Sequence, residues 1–264
     1  MKRKKMILSA GLVILFGLLV FGGASESKAQ TNQIMDLSNY KIQDRIRSCG
    51  LITSKPIPAI GTIVGSPEAR DNIADRDVVY IKLEPGKQVK PGDRFTIARW
   101  GREITHPITH KKVGNVVRVP GVLAIMEGQG GIVPAKVEKS FFPAVYGDLV
   151  IPPIPLPPKN LPIRFGERIT GTILASPEEE ENITERVVVF IDRGTQDGVI
   201  LGDIFYIYQD PYLTKDAEGS KNPPLFRTGE GIVVSANVET STLLVTKSIK
   251  AIYVGDTIIS GKGK

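Results

Sequence analysis

The residues able to do chemistry in this 264-residue chain are few and widely spaced. His106 and His110 are the only histidines, in "ITHPITHKK". A spacing of four suits a metal pair on a helix, but Pro107 stands between them and forbids that helix. In an extended segment their side chains would be roughly 13 Å apart. Neither has a nucleophile and acid arranged around it as a hydrolase triad requires, so no catalytic residue, metal or other cofactor is expected. Four aspartates recur in pairs, Asp93 with Asp203 and Asp148 with Asp256, as two catalytic carboxylates would. Each follows a glycine and precedes an apolar strand. There an aspartate caps its own turn through backbone amides, and one cause covers all four.

The remaining candidates are weaker still. "GQGG" at Gly128 to Gly131 lacks the lysine and helix of a phosphate loop and reads as a hairpin tip. The acids Glu178 to Glu181 lack the tight glycine turn of a calcium loop and read as a solvated first turn. Cys49 is the single cysteine, so no internal disulfide is available, and it reads as a small buried apolar residue. Binding candidates are the aromatic and basic side chains that follow the Gly-Asp strands: Arg99, Trp100 and Arg102 in the first, Tyr206, Tyr208 and Tyr212 in the second. Such rings can stack on sugars, and the arginines flanking Trp100 make that loop the first to test.

The elements that must position these residues are written twice. "GTIVGSPEARDNIADRDVVYIKL" from Gly61 returns as "GTILASPEEEENITERVVVFIDR" from Gly171, 110 residues later, with twelve of the first 21 positions identical. The match resumes at an offset of 108, where "EKSFFPAVYGDLVI" meets "TKSIKAIYVGDTII". Two modules follow, residues 61–151 and 163–261, each too long for a solenoid repeat and rich in short β-branched strands between Gly and Pro turns. The expectation is an all-β protein of two tandem small barrels or sandwiches. In each copy Ser66 or Ser176, followed by Pro and Glu, is expected to cap a helical turn or loop before the long strand.

Residues 152–162, six of them proline, form a linker expected to act as a semi-rigid polyproline spacer. Residues 30–60 belong to neither copy; Ser38, Ile42, Ile46 and Gly50 there predict a short capped helix. Residues 1–29 have the layout of a signal peptide: Lys2 to Lys5, an apolar run from Met6 to Phe21, and Ser27-Lys28-Ala29 for cleavage after Ala29. If retained, the apolar run would be the route to membrane contact. Its five bases and one acid account for +4 of the net +6, so the exported chain carries +2 and basicity gives no argument for nucleic acid. The first module holds thirteen bases and ten acids, the second nine and fifteen, which implies two distinct contact faces or an interface between opposite charges.

"GTIVGSPEARDNIADRDVVYIKL", "VKPGDRFTI", "HPITHKKVGNVV" and "KSFFPAVYGDLVIP" together resemble the C-terminal region of exported bacterial LysM-containing envelope proteins. The resemblance covers most of residues 46–261, counting both copies. The LysM module itself is absent, and His110 stands where that pattern has a glycine after the threonine. The second copy is more faintly similar to the C-terminal domain of flagellar assembly protein T. The resemblance implies a periplasmic or otherwise exported location, with envelope proteins or cell-wall glycan as partners. The expected function is a non-enzymatic scaffold or binding protein of the envelope, in one form linked to peptidoglycan. The alternatives are a flagellar or secretion-machine component and an envelope enzyme using carboxylates at the Gly-Asp turns.

Overall fold

The computed structural model describes residues 33–69, 71–128, 130–177, 182–212 and 224–261. The expected signal segment and the acidic run from Glu178 lie outside them. Among the described residues no helix is long and apolar enough to cross a membrane. The chain is nearly all β, and its two repeats are two closed barrels of six antiparallel strands.

The first barrel is built from β3 (Gly61–Gly65), β4 (Val78–Leu83), β5 (Arg94–Thr105), β6 (Lys112–Ile125), β7 (Ile132–Ser140) and β8 (Leu149–Ile151). Around the wall the order is β3-β4-β7-β6-β5-β8 and back to β3. The second uses β10 (Thr170–Ala175), β11 (Val188–Ile191), β12 (Ile204–Gln209), β13 (Phe226–Ala236), β14 (Ser241–Ser248) and β15 (Thr257–Ser260). Its order, β10-β11-β14-β13-β12-β15 and back to β10, is the same path. Even a register shift recurs, between Ile63 and Gly65 and again between Ile173 and Ala175.

The repeated apolar positions explain why closure recurs. Strand side chains alternate between faces, and Ile63, Ile73, Val79, Ile81 and Ile97 fill the first interior as Ile173, Ile183, Val189, Ile191 and Ile207 fill the second. Fully burying each such side chain contributes about 1.5–3 kcal/mol.

Each barrel is pinned by three similar turns. In each, the amide of Asp77, Asp93, Asp148, Val187, Asp203 or Asp256 closes onto the carbonyl three residues earlier. The residue just before is left-handed: Gly92, Gly147, Gly202 and Gly255 at four turns, Arg76 (φ 71°) and Arg186 (φ 69°) at two. Five of the six carry an aspartate whose carboxylate also accepts the amide three residues back, at 2.8–3.0 Å.

Three short segments join the barrels. β1 (Ile34–Asp36) pairs with β9 (Asn160–Pro162), so the proline-rich linker contributes a strand at its end. Helix α1 (Tyr40–Cys49) follows, and β2 (Leu51–Thr53) adds to the outside of β6. The helix lies where the sequence places it, but Asn39 caps it, its side chain accepting the Lys41 amide at 3.0 Å. The expected cap, Ser38, instead donates its amide to Asp36 at 2.8 Å. Gly50 ends the helix at φ 69°, and a Cβ there would come 1.7 Å from the Val117 carbonyl oxygen, so only glycine fits.

The apolar side of α1, with Ile46 and Cys49, is buried in a cluster that joins the barrels. Ile52, Ile104 and Val116 enter it from one side, and Leu174, Val188, Phe190, Ile232 and Leu244 from the other. The opposite net charges of the modules suggest a polar seam, yet the core of this contact is apolar. Of the helical turn or loop expected after Ser66, the loop is what forms: Pro67 and Glu68 are a bend, with the Ser66 hydroxyl on the Glu68 carbonyl and the Tyr146 hydroxyl. The turn expected after Ser176 and Pro177 in the second copy lies outside the described residues.

Candidate functional site

The residues that suggest catalysis are occupied in holding the fold. Asp93, Asp148, Asp203 and Asp256 each accept an amide of their own turn. Asp148 is also gripped by Arg99, with Nε to Oδ1 and Nη2 to Oδ2 both at 2.7 Å, and Nη2 reaches the Pro143 carbonyl at 3.0 Å. At the matching place in the second barrel Gln209 donates to Asp256 at 2.7 Å and to the Ala251 carbonyl at 2.9 Å. The same clasp is built once with a charge and once without.

Burial pushes the carboxyls of Asp203 and Asp256 above the usual range, although turn amides oppose this in both. Burial likewise pushes the Cys49 thiol up to about 12, where it is an inert donor to the Ile46 carbonyl at 3.0 Å.

His106 is a fastener between the barrels. Its Nδ1 accepts the amides of Ile108 and Thr109 at 3.1 and 3.3 Å, which leaves Nε2 to donate to Asp192 at 3.1 Å. Asp192 in turn accepts the Thr172 amide at 2.6 Å and Arg193 Nη1 at 3.1 Å. Both ring nitrogens of His106 are used. His110 sits four residues on at φ 56°, the left-handed region that favours glycine.

The expected stacking residues do not form one surface. Arg99, Trp100 and Arg102 are on β5 of the first barrel, and Tyr206 and Tyr208 on β12 of the second. Arg99 is committed to Asp148, and Trp100 is half-exposed at 42%. Arg102 reaches the Ser176 carbonyl at 3.4 Å. Tyr206 lies under the Arg227 guanidinium at 3.9 Å and packs on the inter-barrel cluster. Tyr208 stands opposite Arg227 in the ladder, and Tyr212 is fully out in solvent.

The site with the strongest claim to a ligand is a cleft of about 320 Å³ where the unrepeated segments meet the first barrel. One wall is formed by β5, β6 and β7, with Phe95, Val119 and Val122; Phe141 follows β7. The end of α1 supplies Ile46 and Arg47, and Pro153 to Pro157 run along the other side as a strap. The Ile154 amide ties that strap to Thr96 Oγ1 at 3.3 Å. Two arginines and one glutamate line the cleft. Arg94 holds Glu138 through both nitrogens at 2.9–3.2 Å, whereas Arg47 has its Nε enclosed with no acceptor. The volume is at the lower end of small-ligand sites, about 300–1,000 Å³. Apolar walls around one unpaired cation can recognise a ligand.

Sequence reasoning passes over this cleft. Its walls come from six places in the chain, Ser235 of the second barrel among them, and Arg47 is one ordinary surface-type residue beside the apolar pair Ile42 and Ile46. The proline run is the one local signal. No family model matches the chain, and a search of curated proteins finds no match to it.

Proposed function

We propose that this is an exported, non-enzymatic binding protein of the bacterial cell envelope, in which the duplicated barrels are the frame and the segments outside the repeat make the contacts. The observation that carries this reading is the division of labour among side chains. The repeated aspartates and His106 are consumed by turns and by the inter-barrel fastener. The open, unpaired chemistry collects where α1 and the proline strap meet the first barrel. The signal-peptide layout of residues 1–29 and the resemblance to LysM-associated envelope regions support a location outside the cytoplasm.

The test is to place a photo-crosslinking amino acid at Leu156, an exposed position on the proline strap that lines the cleft, and to pellet the same protein with purified cell-wall sacculi. The expected result is one specific envelope partner in the crosslink or co-sedimentation with sacculi. A chain that gives neither overturns the reading. Asp93→Asn and Asp203→Asn are expected to change stability alone; a stable variant that loses a measurable turnover would favour an enzyme.

A further inference from the structure

The 320 Å³ cleft is specific enough to name a class of ligand. Its walls are mostly apolar, but its charges do not cancel: Glu138 is already taken by both nitrogens of Arg94, and Arg47 is left over. Arg47 Nε is enclosed without an acceptor, and its Nη nitrogens, neither enclosed nor bonded among the described residues, are the atoms an anion in the cleft can meet. The net charge of the lining therefore selects an anionic group.

The rest of the lining selects what the anion is attached to. Pro153, Pro155 and Pro157 have no amide hydrogen, and Thr96 Oγ1 already accepts the Ile154 amide. A peptide backbone lying here would find few partners for its own carbonyls. A hydrocarbon needs none, and Phe95, Val119, Val122, Phe141 and Leu156 would surround it. We propose that the cleft binds a single-chain amphiphile with a carboxylate head, a medium-length fatty acid or its close analogue, with Arg47 against the head and the strap over the chain. This inference rests on the binding-protein reading and gives it a ligand.

The experiment is calorimetric titration of the chain beginning at Gln30 with decanoate, decanol and decyltrimethylammonium, each kept below its micellar concentration. Decanoate is expected to bind at least ten-fold more tightly than decanol, and the cation not to bind. Arg47→Met should lower decanoate affinity at least ten-fold and leave decanol unchanged, while Arg47→Lys retains part of the preference. Val122→Trp, which fills the cleft and spares Arg47, should abolish both. Equal decanoate affinity with and without Arg47, or undiminished binding in the filled variant, overturns the proposal, as does no binding of decanoate to a folded protein. Should Arg47→Met fail to fold, Arg47→Lys and Val122→Trp still decide it. Failure of the titration removes this ligand class and leaves the crosslinking and sacculus results to decide the broader reading.

Discussion

The two barrels follow one path and present opposite exteriors. The clearest case is the cleft beside the repeated Ser-Pro pair. In the first barrel, Ser66, Pro67, Asp77 and Val78 border an open space of about 180 Å³. In the second, the equivalent Ser176, Pro177, Val187 and Val188 face Arg45, Ser48 and Cys49 of α1, and only about 20 Å³ remains. Arg45 completes the closure by donating to the Arg186 carbonyl at 2.8 Å. The neighbouring positions tell the same story: Phe190 is 1% exposed, and its counterpart Tyr80 is 38% exposed. A helix outside the repeat, together with Ile52, Ile104 and Val116, turns an outer surface of the second copy into a core. The other copy keeps its surface available.

That contrast can be broken most severely at its apolar centre. Phe190→Ala removes a ring from the inter-barrel cluster and is expected to cost about 3–5 kcal/mol. Tyr80→Ala is expected to cost under about 1 kcal/mol. Urea denaturation of the pair checks this, and similar losses would mean that the first barrel's face is covered as well.

The two clasps come next. Arg99→Ala leaves the buried Asp148 without its cation, an expected loss of about 3 kcal/mol. Gln209→Ala removes a neutral donor from Asp256 and is expected to cost about 1–2 kcal/mol. The difference should narrow in an Asp148→Asn background, which removes the charge that Arg99 answers.

A pH profile sharpens the comparison within the second barrel. The folded protein holds a proton on Asp203 more tightly than the unfolded chain does, because burial raises its carboxyl. The folded state therefore binds more protons between the ordinary aspartate value and the raised one, and stability falls as pH rises through that window. The stability of the native protein relative to Asp203→Asn should accordingly be greatest in acid and decline toward neutral pH. Denaturation series from pH 4 to 7 would show it; a flat difference refutes the burial argument.

The smallest effect concerns the left-handed turns. Arg76 and Arg186 occupy a conformation in which the other four turns have glycine. Arg76→Gly is expected to change stability by no more than about 1 kcal/mol, toward greater stability. Arg186→Gly should gain about as much, because Arg45 binds the main-chain carbonyl at 186, which glycine keeps. Thermal midpoints check both, and a loss of stability in either variant would show that the arginine side chain itself holds its turn.

The sequence carries whatever depends on short-range pattern. The repeat offset, the alternating strands, the Gly-Asp turns and the burial of Cys49 are all readable from neighbours in the chain. What escapes reading depends on which distant segments meet. Ser38 and Asn39 are equally good caps by composition, and the chain chooses Asn39 because Ser38 turns back to Asp36. Ser66-Pro67-Glu68 has the composition of a helix start, but its hydroxyl bonds locally and toward Tyr146, 80 residues away. Arg99 and Tyr206 read as exposed binding groups and are engaged by Asp148 and Arg227. The cleft is less legible still, since no stretch of sequence contains more than one of its walls.

The proline strap has a consequence for energetics beyond marking the space between modules. Its φ angles are fixed by covalent rings before folding begins, so little freedom remains for that wall to lose when a guest arrives. Most flexible sites spend part of their contact energy on ordering a loop. A cleft walled by Pro153, Pro155 and Pro157 keeps its shape while empty. Its occupancy should be governed by solvent release and charge, with a small ordering penalty and fast exchange.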